Sequence, residues 1–63
     1  MNNLGLIRRS KDITQYQLSI NTNIPQSVIS LIERNFKDPS MEAKKLISEI
    51  LDCSVEDIFP EMK

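Results

Sequence analysis

The chain has 63 residues, 40% of them hydrophobic and 27% charged, with a formal net charge of −1, which predicts one domain over residues 1–63, near the lower size limit for independent folding. One cysteine and no histidine exclude an internal disulfide, a zinc site of the usual kind and histidine-based catalysis, so we expect no metal, no cofactor and no enzymatic activity. No apolar run approaches the ~18 residues of a membrane span and a lone cysteine fits a reducing compartment, so we expect a cytoplasmic protein without a membrane segment.

The spacing of hydrophobic and capping residues predicts an all-α chain, with helices at about residues 3–12, 14–22, 25–34, 40–51 and 54–60. Thr14 and Gln17 have capping-box spacing at the start of the second helix. Pro25 lies near the start of the third helix, where a proline is accepted in the first turn. Between them, Asn23 tolerates a left-handed backbone. These features predict two short helices joined by a tight turn.

The fourth and fifth helices have start signals of their own. Pro39 displaces the residue before it from helical geometry, and Ser40 then caps the fourth helix. Ser54 and Asp57 repeat the capping-box spacing at the last helix, which we expect to stop at Pro60.

The third helix is predicted to be amphipathic. Ile29 and Ile32 recur at helical spacing, and Gln26, Ser27 and Ser30 fall on the opposite side. A helix that exposes glutamine and serine can read base edges in a DNA major groove. The Gln26 amide can pair with adenine through two hydrogen bonds, although an ordinary solvated side chain is the alternative.

Charge is distributed unevenly along the chain. Residues 1–37 carry five basic and two acidic residues, a net charge of +3, whereas residues 38–63 carry three basic and seven acidic residues, a net charge of −4. A basic side facing phosphate and an acidic side facing away are consistent with DNA binding. Chance asymmetry of a solvated surface is an equal alternative.

Several short pieces occur together in a fixed order over about 55 residues: Thr14-Gln15, then Leu18, Ile29-Ser30, Ile32-Glu33, Pro39-Ser40, and the segment from Ser54 to Phe59. In this order they closely resemble the Cro/repressor-type (XRE-like) helix-turn-helix family. The resemblance implies a compact five-helix, lambda-repressor-like domain, with the helix-turn-helix formed by helices two and three. It also implies that helix three enters the major groove and that the protein is a dimeric transcriptional regulator of a pseudo-palindromic operator.

Three positions depart from the pattern of the family. Asn23 stands where the family often has glycine, and Pro25 stands where it usually has a serine or threonine cap. Leu31 stands where a polar or basic residue is common, and it could meet a thymine methyl group or equally pack against the following loop. We include Leu31 with Gln26, Ser27 and Ser30 as base-reading candidates.

Contacts to the DNA backbone are expected on either side of the third helix. Thr14 and Gln15 open the second helix, where Gln15 can contact phosphate and brace Gln26. The resemblance places further backbone contacts after the third helix, which favours Asn35 and Lys37. Lys44, early in the fourth helix, is a further candidate.

We expect a homodimer interface formed by three apolar residues of the last helix, Val55, Ile58 and Phe59, and by Met62, which follows it. The alternative is that they close the core of the single chain. We therefore expect a sequence-specific regulator of double-stranded DNA, acting as a dimeric repressor. The acidic second half keeps open a second function on the same fold, a protein-interaction module that regulates another protein without reading DNA.

Overall fold

The computed structural model describes residues 2–60, which form five helices and no strand within that range. In chain order the helices are α1 (Leu4–Ser10), α2 (Gln15–Thr22), α3 (Gln26–Glu33), α4 (Met41–Leu51) and α5 (Val55–Ile58). The predicted all-α, five-helix fold is confirmed. None of these helices is both long and apolar enough to cross a membrane.

Side-chain caps determine where three helices begin. Thr14 Oγ1 accepts a hydrogen bond from the Gln17 backbone N–H at 3.0 Å, and Gln17 Oε1 accepts one from the Thr14 N–H at 2.9 Å, which completes a capping box at α2. Ser40 and Ser54 each accept a bond from the amide three residues later, at 3.2 and 3.1 Å. Because these caps satisfy amides that a helix start leaves unpaired, α2, α4 and α5 begin one residue after them.

Four residues with a left-handed backbone follow α1, α2, α3 and α4: Asp12, Asn23, Asn35 and Asp52, with φ between 55° and 68°. All four are Asp or Asn, whose short polar side chains tolerate this region better than other non-glycine residues. The prediction of a left-handed turn at Asn23 is confirmed. α1 ends two residues before Asp12, and is therefore shorter than the range predicted for it.

α5 also ends earlier than expected, at Ile58 rather than at Pro60. Phe59 has φ −123° and ψ 71°, outside helical geometry, because the ring of the following proline disfavours that geometry. α5 is therefore a single turn that holds its position by packing.

The core draws on all five helices and on the residue that follows α5, and consists of Leu4, Leu18, Ile29, Ile32, Ile47, Leu51, Ile58 and Phe59. Ile58 is 0% exposed and Phe59 is 5% exposed within the single chain. Val55 is half-buried against the same core. The expectation of a dimer surface is therefore corrected for Ile58 and Phe59, which cover the core of their own chain, whereas Val55 keeps part of its surface exposed. Met62, the fourth residue of that prediction, lies outside the described residues.

Two asparagines connect the start of the chain to the ends of two helices. Asn2 Nδ2 donates to the Ile32 carbonyl near the end of α3 at 2.8 Å. The Asn3 backbone N–H donates to the Ile58 carbonyl at the end of α5, also at 2.8 Å. The Asn3 bond gives the Ile58 carbonyl a partner that a helix end otherwise lacks. The Ile32 carbonyl also accepts a bond from the Asn35 N–H at 3.0 Å, so Asn2 is its second donor.

Candidate DNA-binding surface

α3 divides its side chains between the core and the surface as predicted. Ile29 and Ile32 are buried, whereas Gln26 and Ser27 are exposed at the start of the helix. Ser30 and Leu31 are half-buried. The Leu31 carbonyl accepts a hydrogen bond from the Phe36 N–H at 2.9 Å, so the α3–α4 loop folds back onto the end of α3.

The entry to α3 has no side-chain cap, because Pro25 occupies the capping position. The Pro25 carbonyl accepts hydrogen bonds from the Val28 and Ile29 amides, both at 3.0 Å. Within residues 2–60, no acceptor is bonded to the amides of Gln26 and Ser27. The start of α3 therefore presents two unpaired donors beside the candidate base-reading side chains.

Glu33, the last residue of α3, joins three parts of the fold. Arg8 of α1 donates to it twice, from Nε to Oε2 at 2.6 Å and from Nη2 to Oε1 at 3.3 Å. Gln15 Nε2 of α2 donates to the same Oε1 at 3.1 Å. A further bond from Arg8 Nη1 to the Ile13 carbonyl, at 2.8 Å, fixes the α1–α2 connection. The two charged side chains are only 10% and 9% exposed, so this network is largely shielded from water.

This network shows which partner Gln15 has in the folded chain. Its amide nitrogen is bound to Glu33, and no hydrogen bond of the described residues joins it to Gln26. The hydrogen bond to Glu33, at the end of α3, thus fixes the orientation of the Gln15 side chain. The sequence does not identify Arg8 as the partner of Glu33, since the two residues are 25 positions apart.

An open groove of about 480 Å³ brings together three of the predicted contact residues. Thr14 and Gln15 at the start of α2 share it with Gln26 at the start of α3. The C-terminal end of α1 forms the opposite wall, and the other lining residues are Arg8, Arg9, Asp12, Ile13 and Tyr16. The position of α1 beside this groove depends on packing between distant elements, which a local sequence pattern does not predict.

The remaining backbone candidates lie around the α3–α4 loop. Asn35 has a left-handed backbone, and its Oδ1 accepts a hydrogen bond from Asn2 Nδ2 at 3.3 Å. Lys37 is exposed and forms no ion pair within residues 2–60. These two residues are placed beyond the end of α3, opposite to the groove at its start.

Lys44 differs from these candidates because α4 directs it inward. Its side chain is 9% exposed, and its ammonium lies 3.5 Å from Asp38 Oδ1 and 5.4 Å from the centre of the Phe59 ring. Cation–π attraction and the carboxylate both hold a positive charge there. We therefore leave Lys44 out of the candidate surface, and a contact between Lys44 and phosphate stays a prediction.

Comparison with models of protein families matches residues 4–58 to a helix-turn-helix family. The chain belongs to this XRE/Cro-type helix-turn-helix family. The match runs from the first residue of α1 to the last residue of α5. Membership implies DNA as the partner and transcriptional regulation as the role, in a family that is typically non-enzymatic. Comparison with curated proteins found no match.

Proposed function

We propose that this protein is a sequence-specific regulator of double-stranded DNA and that it acts as a dimeric repressor, with α3 in the major groove of a pseudo-palindromic operator. The proposal rests on the way α3 divides its side chains between the core and the surface. Its apolar side is buried in the core, while Gln26 and Ser27 remain open at its N-terminal end. N-terminal residues of a recognition helix are those that contact base edges in this motif.

Base readout is assigned to α3. The Gln26 amide can donate a hydrogen bond to adenine N7 and accept one from the adenine N6 amino group. No other base presents this pair of groups in the major groove, so the contact distinguishes adenine from the other bases. Ser27 and Ser30 are short enough to let the helix approach closely. Leu31 is half-buried, and its remaining exposed surface suits a thymine methyl group.

Backbone contacts are assigned to both ends of α3. Thr14 Oγ1 uses a lone pair for its cap, so its hydroxyl hydrogen remains able to donate to a phosphate oxygen. Gln15 is held next to it by Glu33. Asn35 and Lys37 would contact the DNA backbone at the other end of α3. Such contacts position the protein, whereas the base contacts specify the sequence.

The test begins with selection of bound sites from random duplexes, followed by binding measurements on the preferred site over a range of salt concentrations. Neutralised phosphates release counterions, so the logarithm of the binding constant should fall linearly with the logarithm of the salt concentration. Binding that does not change with salt would contradict the proposal.

Two variants separate the assigned roles. Gln26→Ala should cost about 1–3 kcal/mol on the preferred site and relax preference at one base pair. Lys37→Ala should weaken binding to all sequences about equally and reduce the salt slope by about one. A common loss for every sequence with Gln26→Ala would remove Gln26 from the base-reading set.

A protein-interaction module remains the second candidate because large apolar side chains are exposed, notably Leu6, Tyr16, Ile20 and Phe36. Tyr16 and Ile20 lie one turn apart on α2, and a contiguous exposed apolar patch is typical of protein contacts. The same selection distinguishes the two functions: no preferred site and no salt-dependent duplex binding would favour the protein partner.

A further inference from the structure

We propose that the groove between α1 and the start of α2 seats an additional DNA phosphate, held by the Arg9 guanidinium and the Tyr16 hydroxyl. This inference rests on the proposed function, which it extends from α2 and α3 to α1. The contact is made by residues other than the base-reading ones, with the DNA strand that passes the start of α2.

The position of the groove is the first argument. Arg9 and Tyr16 line it together with Thr14, Gln15 and Gln26. Thr14 and Gln15, which are proposed to contact the DNA backbone, line this same groove, so a phosphate that reaches them lies close to Arg9 and Tyr16. The groove is open, so a phosphate can enter it without displacing α1.

The position of the Arg9 head group is the second argument. A Cβ atom at Gly5 would lie 3.1 Å from Arg9 Nη1 and 3.1 Å from Glu33 Oε1. Arg9 Nη1 and Glu33 Oε1 therefore both border Gly5, and the guanidinium lies back along α1 beside the Arg8–Glu33 pair. The missing side chain of Gly5 provides the space for this arrangement.

The charges around the groove are the third argument. Arg8 is paired with Glu33, whereas Arg9 forms no ion pair and no hydrogen bond through its side chain within residues 2–60. Asp12, which is exposed, is the carboxylate that lines the groove. Arg9 thus retains all its donors, and a guanidinium matches two phosphate oxygens at once.

Tyr16 is the second group suited to an anion. Its side chain is 62% exposed at the second position of α2. The phenolic hydroxyl is a hydrogen-bond donor, and the ring provides a rigid wall. Tyr16→Phe removes this donor alone, so it tests the hydroxyl without altering the shape of the groove.

Lys11 supplies a matched control. It carries the same charge as Arg9, is exposed, and lies two residues further along, but it does not line the groove. We compare the wild-type chain with Arg9→Ala, Arg9→Lys, Lys11→Ala and Tyr16→Phe, using duplex binding at several salt concentrations, ethylation interference to map phosphates, and circular dichroism for folding.

Arg9→Ala should reduce the salt slope by about 0.9 and weaken binding to every sequence about eightfold at ~0.1 M salt, the counterion effect of one phosphate. One phosphate should disappear from the interference pattern, and Tyr16→Phe should weaken the signal at the same phosphate. Arg9→Lys should restore the slope, because it restores the charge, and Lys11→Ala should change neither slope nor pattern.

Three outcomes would overturn the inference while leaving the proposed function intact: an unchanged slope with Arg9→Ala, an equal effect of Lys11→Ala, or a changed base preference, which would make Arg9 a base reader. A wild-type chain without duplex binding would overturn both.

Discussion

Glu33 has three side-chain hydrogen bonds and almost no access to water. Removing one partner of a buried ion pair leaves the other charge desolvated and uncompensated. We expect Glu33→Gln to lower the free energy of unfolding by about 3 kcal/mol, a large part of the stability of so small a domain. Urea denaturation followed by circular dichroism measures this loss.

A double variant distinguishes the missing charge from the missing packing. Apolar residues of similar volume at both positions can replace a buried pair with little loss. The combination of Arg8→Met with Glu33→Met should therefore be more stable than Glu33→Gln alone. If both proteins unfold at the same denaturant concentration, mutual neutralisation is not what holds Arg8 in place.

At the scale of the element, the start of α2 combines two roles in Thr14. The residue caps the helix, and it is proposed to contact phosphate. Thr14→Asp should retain a good cap, and hence the stability within about 0.5 kcal/mol, because aspartate is as favourable at this position. Its negative charge should nevertheless repel phosphate and weaken duplex binding, as titration at low salt would reveal.

Ser54 provides the control for Thr14, since it caps α5 in the same way and belongs to no assigned DNA contact. Ser54→Asp should leave duplex binding unchanged. Thr14→Ala removes the cap and should cost about 1 kcal/mol of stability. Equal binding by the wild type and Thr14→Asp would show that no phosphate approaches this helix start.

The helices themselves were predictable because their signals are local. The caps at Thr14, Ser40 and Ser54 act on amides only three residues away. The alternation of Gln26 with buried isoleucines likewise lies within one helix. Element type and approximate position follow from such short-range chemistry.

What the sequence could not predict depends on contacts between distant elements. The apolar residues of α5 suit either a dimer surface or a core, and only the packing of α5 on α4 decides for the core. The sequence alone suggests that Lys44 is an available cation, because its contact with the Phe59 ring joins residues 15 positions apart. The role of Arg9 depends on where α1 lies relative to α2 and α3.

For the whole molecule, the burial of Ile58 makes α5 part of the folding unit. Ile58→Ala should cost about 2–5 kcal/mol, as buried isoleucines do. Ile58→Asp would bury an unpaired charge and should unfold the chain at every concentration. Circular dichroism combined with sedimentation equilibrium tests this, and a folded monomer with Ile58→Asp would instead return Ile58 to a subunit interface.

The proposed dimer is a separate prediction, because its interface must use surface other than the buried α5 residues. Two recognition helices about 34 Å apart would meet successive major grooves on one side of the duplex. Preferred sites should therefore be inverted repeats, and each should bind two chains. Sedimentation equilibrium at tens of micromolar protein, with and without operator, measures the stoichiometry. A monomer in the absence of operator, together with one chain per operator in its presence, would reject the dimer.

The bond between the Asn3 N–H and the Ile58 carbonyl links the first described residues to the last helix. A four-residue helix such as α5 has too few internal bonds to persist alone, so it must either be docked or be melted. When it melts, the Asn3 amide loses its acceptor together with the Phe59 amide, which donates to the Val55 carbonyl at 2.7 Å. The two amide protons, 56 positions apart along the chain, should therefore exchange with deuterium in a single opening event.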